Sequence, residues 1–412
     1  DSLTYVDEHT MTFDNVEKMD ITITDVKVNG VSQATLPVNL YLQGDVFVDR
    51  ISHFAPQVTF DSYNLSVGAP VNTDCVADGG NDELTVSWDL VPRAEEYQLE
   101  WTFVNTVGLT AAEVNNLKID FRNNSTRIST KDLSYKISLL FDKGFVVFRV
   151  RAVGRSMNAP YNLLFSRWSI PDGEYALNHT LVTAARRATT AFDKKKNWQY
   201  TATYAEEGKK KEVVSFFDGS LRNRQMVTKI STDHNAIVGE TIYDHQGRPA
   251  VQVLPVPVPH CESELAENSL RYYPDFNKNE NGAAYSKTDF DISSPGDSCN
   301  PIPVGLMHTN SGASNYYSSA NPNKTESQGF VPTANGYPFS QVEYMPDNTG
   351  RIRRQGGVGK EFQLSAPGET HPTQYFYAHP LQEQLDRLFG SEEGDAAHYQ
   401  KNMIVDPNGQ VS

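Results

Sequence analysis

The sequence contains very little cysteine, with only Cys75, Cys261 and Cys299 among its 412 residues. So small and odd a set excludes a scaffold that is held together by many disulfides. Cys261 and Cys299 bracket a segment rich in loop-forming residues, and a disulfide between them is one interpretation if the compartment is oxidising. Three reduced or buried thiols are the other interpretation, and both remain open. In the first case Cys75 is a free thiol.

The chain also lacks long apolar runs and an excess of basic charge. No stretch of about 18 apolar residues occurs, so the sequence predicts no membrane-spanning helix. Lysine and arginine number 36 against 51 aspartate and glutamate residues, which gives a formal net charge of −15. Because phosphate groups are bound by concentrated basic surfaces, we expect neither nucleic acid nor an anionic membrane as a partner.

The usual signatures of enzymes are missing as well. No Gly-x-Ser-x-Gly elbow occurs, and the glycine-rich run at 356–360 lacks the spacing of a phosphate-binding loop. The spacings of His371, His379 and His398 match no zinc signature. We therefore predict that the protein is not an enzyme.

What the sequence does contain is short alternating strand patterns separated by turn signals. Residues 1–53 read as a β-rich segment whose start is expected to be incomplete, with alternation along Asp20–Val28 and a hairpin signal at Asn29-Gly30. Residues 54–175 predict a β-sandwich, with alternating strands at Leu84–Trp88, Tyr97–Trp101 and Phe148–Val153.

The sandwich pattern resembles a fibronectin type III domain, which has a tryptophan on an early strand and an Arg-Val-x-Ala-Val strand near its end. The sequence differs from the pattern of that family in two places. Val146 stands near the place of the expected corner tyrosine, and the middle is lengthened by Asn105–Lys118. Within this insertion, Thr110 to Glu113 forms a capping box that predicts a short helix. The resemblance implies a spacer or an adhesive module.

Residues 176–260 predict a further β-sheet that contains the most distinctive motif of the chain, an Asp-x-x-Gly-Arg turn between two strands. Aspartate bonds its own backbone in such turns and glycine takes positive φ. A degenerate form occurs at Asp218–Arg222. The copies are Asp244, Gly247 and Arg248; Asp347, Gly350 and Arg351; and, without the arginine, Asp406 and Gly409. Their recurrence predicts an iterated hairpin architecture.

Residues 261–333 are rich in loop formers with aromatic anchors and predict either a functional segment or a packed lining. Asp275, Asn277 and Asn279, with Asp289 and Asp291 nearby, have spacing similar to the start of a calcium loop. Glu280 and Ser286 replace the glycine and glutamate that an EF-hand requires. We expect a hydrogen-bonded polar loop and no cofactor, and calcium is the alternative. Residues 334–412 predict further strands and a short helix at 380–389.

The repeated turns resemble those of YD-repeat, or Rhs-type, proteins. The similarity covers residues 195–412 and is to the region ahead of the repeats in very large secreted proteins of Bacteroidota. It is carried by Asn197–Tyr200, Glu206–Arg222, Gly239–Leu254, Val342–Arg351, Leu385–Gly390 and Lys401–Ser412. The resemblance implies strands that spiral into a shell. In Rhs toxins an Asp-Pro-x-Gly pair supports self-cleavage, whereas Asp406–Gly409 has no second copy and is interpreted as a turn.

Together these patterns predict a mainly β protein: a fibronectin type III-like sandwich followed by YD-repeat-like antiparallel strands that form part of a β-shell, with few short helices. We expect a non-enzymatic structural segment of an extracellular or cell-surface protein, with toxin encapsulation as one use of the shell. Its expected partners are the rest of its own longer chain or an enclosed C-terminal domain, and secretion machinery or a surface partner. A secreted carbohydrate-binding or carbohydrate-active protein and a cell-surface adhesin are the alternatives.

Overall fold

The computed structural model confirms the mainly β fold, since antiparallel strands dominate and helices are short. Contacts divide the chain into two compact units, Asp1–Ile51 and Ser52–Ser412. The structure describes residues 22, 24–25, 27–28, 30–33, 35, 54, 63–68, 83–104, 108–110, 112–113, 121–140, 145–156, 162–169, 182–183, 196–230, 236–258, 270–290, 305–325, 328–364, 370–390 and 392–412.

The described part of the first unit is a small hairpin. Strand β1 (Lys27–Val28) pairs antiparallel with β2 (Val31–Ser32), and Gly30 between them has φ of 81°. This is the place where Asn29-Gly30 predicts a turn, because glycine adopts positive φ without steric cost. Most of the predicted β-rich segment 1–53 lies outside the described residues.

The second unit begins with a sandwich of two antiparallel sheets. Its described strands are β3 (Ser66–Val67), β4 (Glu83–Ser87), β5 (Glu96–Val104), β6 (Thr126–Thr130), β7 (Ser134–Ser138), β8 (Phe145–Arg155), β9 (Leu163–Phe165) and β10 (Val182–Thr183). One sheet has the order β3-β4-β7, and the other has the order β10-β8-β5-β6 with β9 also paired to β8. Alternating side chains of both sheets meet in one core, which includes Leu84, Leu99, Ile137 and Phe148. Burial of this core stabilises the sandwich.

The expected capping box in the sandwich insertion is present. The Thr110 hydroxyl accepts from the Glu113 amide at 3.3 Å, and a Glu113 carboxylate oxygen accepts from the Thr110 amide at 2.8 Å. This reciprocal pair satisfies donors at a helix start. The rest of the predicted helix falls largely outside the described residues.

A second, larger sheet follows. Its described strands are β11 (Asn197–Tyr204), β12 (Lys210–Phe217), β13 (Asn223–Ile230), β14 (Ala236–Tyr243), β15 (Pro249–Pro257), β16 (Phe339–Tyr344), β17 (Ile352–Gly356), β18 (Thr373–Ala378) and β19 (Lys401–Val405). All nine pair antiparallel in chain order, so each strand lies between its predecessor and its successor. Successive connections therefore alternate between the two ends of the sheet.

The long connection between β15 and β16 covers one face of this sheet. Its two described parts, 270–290 and 305–338 without 326–327, include helix α1 (Gly312–Tyr316) and two short 3-10 turns, Lys287–Asp289 and Pro322–Thr325. Here we call these parts the covering segment. The segment buries Tyr285, Met307 and Tyr337 against the sheet residues Val251 and Phe339. The aromatic anchors of this segment are therefore used for packing on the sheet.

The second described helix, α2 (Gln382–Phe389), lies between β18 and β19 and ends at Gly390, which has φ of 87°. The sequence pattern predicts one apolar face for it. The structure buries Leu385, at 6% exposure, but leaves Leu381, Leu388 and Phe389 at 66%, 74% and 64%. None of the helices that the structure describes combines the length and the apolar character needed to cross a membrane.

Candidate functional site

The Asp244 turn joins β14 to β15 and shows how the motif folds. One carboxylate oxygen, Oδ1, accepts hydrogen bonds from the amides of Gln246 at 2.9 Å and Arg248 at 2.8 Å. The amide of Gly247 donates to the Asp244 carbonyl at 3.0 Å, and Gly247 has φ of 81°. A side-chain acceptor and a residue that tolerates positive φ are what the loop requires, which explains the aspartate and the glycine.

The arginine of the motif closes the turn on itself. Arg248 Nε lies 2.7 Å from Asp244 Oδ2, and the Asp244 side chain is only 7% exposed. The Arg248 guanidinium also lies 4.3 Å from the centre of the Tyr344 ring, on β16. The Tyr344 hydroxyl donates to the carbonyl of Pro249 at 2.9 Å. One arginine therefore connects its own turn to the aromatic ring that precedes the next turn at this end of the sheet.

The same contacts recur in the other two arginine-containing turns. Arg222 pairs with Asp218 at 3.0 Å and lies 5.1 Å from the Tyr243 ring. Arg351 pairs with Asp347 at 2.7 Å and lies 4.8 Å from the Tyr377 ring. In each case the tyrosine hydroxyl donates at 2.9 Å to the carbonyl of the residue that follows the arginine; these acceptors are Asn223 and Ile352. We call this series of contacts the arginine–tyrosine relay.

Because β12, β14 and β16 run in the same direction, the three relay turns lie at one end of the sheet. They also touch one another directly. Gln246 donates to Asn348 at 2.7 Å, which joins the second turn to the third across 102 residues of sequence. The guanidinium of Arg222 lies so close to Gly247 that a Cβ there would be 2.0 Å from its Nη1. The positive φ therefore favours glycine here, and a Cβ would in addition displace the flexible end of the Arg222 side chain.

The three relay turns are not identical. Leu221 occupies the glycine position of the first turn, with φ of 58° and an exposed side chain. The third turn is longer, because the amide of Met345 rather than that of Asp347 donates to the Arg351 carbonyl, at 2.8 Å. Hydrogen bonds from Thr349, with help from Arg351, lower the pKa of Asp347 to about 2. The relay thus tolerates variation in loop length and in the residue at positive φ.

The Asp406 turn shares the backbone geometry but not the relay. Asp406 Oδ1 accepts from the amides of Asn408 and Gln410 at 2.9 and 2.8 Å, and Gly409 has φ of 78°. Gln410 stands where the arginine would be, so the turn lacks the ion pair. It follows β19, which places it at the opposite end of the sheet from the relay turns.

Sequence reasoning missed a further copy of the turn in the covering segment. Asn279 Oδ1 accepts from the amides of Asn281 and Ala283 at 3.1 and 3.0 Å, and Gly282 has φ of 77°. The signal was present, because Asn279-Glu280-Asn281-Gly282 keeps the spacing with asparagine in place of aspartate. Asparagine supplies the same acceptor oxygen but no charge for an arginine.

Two of the side chains considered for calcium, Asp289 and Asn277, accept hydrogen bonds within the covering segment. Asp289 accepts from Asn279 Nδ2 at 2.9 Å and from the Ser286 amide at 2.7 Å. Asn277 Oδ1 accepts from the amide of Ala313 at 2.9 Å. Within the part of the chain that the structure describes, no cluster of three or more histidine, cysteine or acidic side chains suits a metal ion. Asp291 and the cysteines Cys75, Cys261 and Cys299 lie outside the described residues.

Glu240 on β14 anchors the covering segment to the sheet. Its two carboxylate oxygens accept from Gln225 Nε2 at 2.6 Å and from Asn277 Nδ2 at 2.7 Å. Gln225 in turn exchanges two hydrogen bonds with the backbone of Tyr273, at 2.8 and 2.9 Å. Burial raises the pKa of Glu240, although both amide donors oppose the shift. Sequence patterns could not predict these contacts, since the residues that they join are 15 to 48 positions apart.

The sandwich is docked on the first strands of the large sheet. Lys229 on β13 pairs with Glu83 on β4 at 2.8 Å, and both side chains are 4% exposed. Lys210 on β12 pairs with Glu212 at 3.0 Å and donates to Ser138 of the sandwich at 3.0 Å. Buried charges are costly unless they are paired, so these contacts define one geometry for the junction.

Comparison with protein families gives one match. A family model described as a domain of unknown function (DUF6443) matches residues 188–299, less than half of the chain. The matched range includes strands β11 to β15, the first two relay turns and the first described part of the covering segment. No curated protein sequence matches the chain. The chain is therefore similar, over this range, to a family whose function has not been assigned.

Proposed function

We propose that this chain is a non-enzymatic structural segment of a large secreted or cell-surface protein of the Rhs/YD-repeat type, in which successive hairpins build part of a β-shell. The observation that carries the proposal is the sheet β11 to β19, whose described strands pair strictly in chain order. A wall of this kind grows by one hairpin at a time, so its extent is set by the number of repeats.

The arginine–tyrosine relay supports this function because it links each hairpin to the next. A cation over an aromatic ring contributes about 0.5–1 kcal/mol at exposed sites and about 2 when desolvated. The contact repeats at the three arginine-containing turns on that end of the sheet, which suits a wall that must stay continuous over many repeats. Asp244, Gly247 and Arg248 serve this geometry, since the Asp244 carboxylate accepts from both the amide and the Nε of Arg248.

The covering segment supports a shell with distinct faces. Tyr285, Met307 and Phe339 lie in a core between this segment and the sheet. Along the later strands the burial decreases, and Phe376 on β18 and Ile404 on β19 are 43% and 38% exposed. A sheet that is covered over its early strands and open over its later ones is consistent with an enclosed partner, such as the rest of a longer chain or a C-terminal domain.

The sandwich acts in this proposal as a module fixed to the start of the wall. Its division into a β3-β4-β7 sheet and a sheet that contains β6, β5, β8 and β9 supports the resemblance to fibronectin type III domains. The buried Lys229–Glu83 pair and the hydrogen bond from the Tyr135 hydroxyl to the Gly208 carbonyl, at 2.9 Å, hold it in one orientation. A module that is held rigidly in this way closes the first edge of the sheet better than a flexible spacer would.

The test uses the protein as its host produces it. Antibodies against the sandwich should label intact cells or culture supernatant, and electron cryomicroscopy of the purified native protein should show a hollow β wall that contains β11 to β19. A protein found inside cells, or a compact globule with one dominant cleft and no wall, would overturn the proposal.

A further inference from the structure

A cavity of about 170 Å³ lies where the sandwich meets the first hairpin of the large sheet. It is partly open to solvent and combines aromatic rings with polar side chains. Its lining includes Trp101, Phe103, Tyr200, Tyr204, Lys210 and Glu212. Binding pockets occur preferentially at such junctions between modules. Nothing in the shell function requires the cavity.

The size of the cavity fits one six-membered ring. A closed cavity of about 150 Å³ is known to accept benzene, so 170 Å³ accommodates a ring of that size. The open side leaves room for substituents and for a chain that continues into solvent.

The aromatic rings are held in place by one another. Trp101 lies 6.0 Å from Tyr204 in an edge-on arrangement and 5.7 Å from Tyr135, measured between ring centres. Half-buried rings fixed in this way offer rigid apolar surface at little entropic cost. The C–H faces of a pyranose ring pack on such surfaces.

The polar groups favour a neutral ligand that donates hydrogen bonds. Lys210 and Glu212 form an ion pair at 3.0 Å with side chains 8% and 2% exposed, so their charges cancel within the site. Glu212 accepts from Lys210, from the Tyr200 hydroxyl at 2.6 Å and from Ser138. A carboxylate has about four acceptor positions, so these three donors leave one position unused.

The protonation state of Glu212 agrees with this role. Burial would raise its pKa, but the adjacent Lys210 ammonium and the hydrogen bonds from Tyr200 and Ser138 outweigh burial and lower the pKa. Glu212 is therefore a carboxylate, and it accepts hydrogen bonds.

From the ring-sized volume, the fixed aromatic lining and the charge-neutral polar groups, we propose that this cavity binds one pyranose residue of a neutral glycan. The proposal goes beyond the structural function, because a β-shell needs no glycan. It gives the junction a second role: attachment of the protein to, or recognition of, a carbohydrate-bearing surface.

The test is binding of methyl glycosides of glucose, galactose, mannose and N-acetylglucosamine to the whole 412-residue chain, measured by saturation-transfer NMR. At least one should bind, and a nuclear Overhauser effect should connect its ring protons with the Trp101 indole. Trp101→Leu should weaken binding about tenfold, as loss of one stacked ring predicts. Trp198→Leu is the matched control, since Trp198 lies on β11 but does not line the cavity.

Three results would overturn the proposal: no binding by any of the four glycosides, equal loss in the two tryptophan variants, or transfer to rings other than those of the cavity. The wild-type transfer experiment remains decisive even if Trp101→Leu does not fold. Failure of sugar binding would leave the shell proposal standing, because that proposal depends on strand order and location.

Discussion

Removal of the Asp244 side chain tests the relay most directly. Asp244→Ala eliminates two hydrogen bonds from backbone amides and the ion pair with Arg248. Hydrogen bonds to a charged acceptor are worth about 1.5–3 kcal/mol each, but truncation lets water reach the freed amides. We therefore expect a loss of about 3 kcal/mol in local stability rather than the full sum.

The loss should not remain within one hairpin. Without its carboxylate partner, the Arg248 guanidinium is held less firmly over the Tyr344 ring. The two residues are 96 positions apart in sequence but lie 4.3 Å apart in space. Amides of β16 near Tyr344 should therefore lose protection together with those of β14 and β15. If the relay is only a set of independent turns, β16 will be unaffected.

Native-state hydrogen exchange on the whole chain is the appropriate assay, because a multi-sheet chain of this length need not unfold in one step. A loss of about 3 kcal/mol corresponds to exchange roughly a hundredfold faster at the Gln246 and Arg248 amides. Asp244→Asn should cost about half as much, since it keeps the acceptor oxygen and removes only the charge.

Asp406→Ala provides a control with the same local turn but no arginine and no relay. Two hydrogen bonds donated by backbone amides are lost there as well, and we expect a loss of about 1 kcal/mol in stability that is confined to that turn. Equal and equally local effects at Asp244 and Asp406 would refute the idea that the arginine couples neighbouring hairpins.

Three further predictions concern the relay turns and the covering segment. Leu221→Gly should stabilise the first turn by about 1 kcal/mol, because Leu221 adopts positive φ. Gly247→Ala should destabilise the second turn for the same reason. Local hydrogen exchange measures both effects. The Asp347 carboxyl should titrate near pH 2 by NMR, and Thr349→Val should move its pKa up toward the ordinary 3.8. Since the folded-state pKa is depressed, the stabilising contribution of Asp347 is fully present above about pH 4 and is lost as the pH falls through 2. Glu240→Ala should increase hydrogen exchange at residues 272–285 and 312–316, which lie in the two parts of the covering segment. An effect limited to β14 would contradict the role of Glu240 as an anchor.

Much of the fold could be predicted because its signals are local. The spacing of Asp244, Gly247 and Arg248 encodes a hairpin turn whose bonds span only four residues. The alternation of apolar and polar residues along the strands within 197–258 likewise indicates which face of the sheet is buried. Such patterns identify hairpins and their turns from the chain itself.

The relay and the junction could not be predicted because their partners are distant in sequence. Arg248 meets Tyr344 only after the chain has passed through the long connection between β15 and β16, and Lys229 meets Glu83 across 146 residues. Neither pair has a spacing that periodicity could detect. Leu221 shows a different limit, because packing of Arg222 in the relay holds a leucine at a φ that local propensity opposes.

The relay also bears on how a wall of hairpins can be extended without a large core for each repeat. The later strands bury little apolar surface, so hydrophobic packing alone would leave them weak. The Tyr377 ring on β18 nevertheless lies against the Arg351 guanidinium, and its hydroxyl donates to the Ile352 carbonyl, as in the two earlier turns of the series. The relay therefore supplies each new hairpin with contacts to the previous one before any segment covers its face. A sheet built in this way can be extended by further hairpins without a covering segment over each of them.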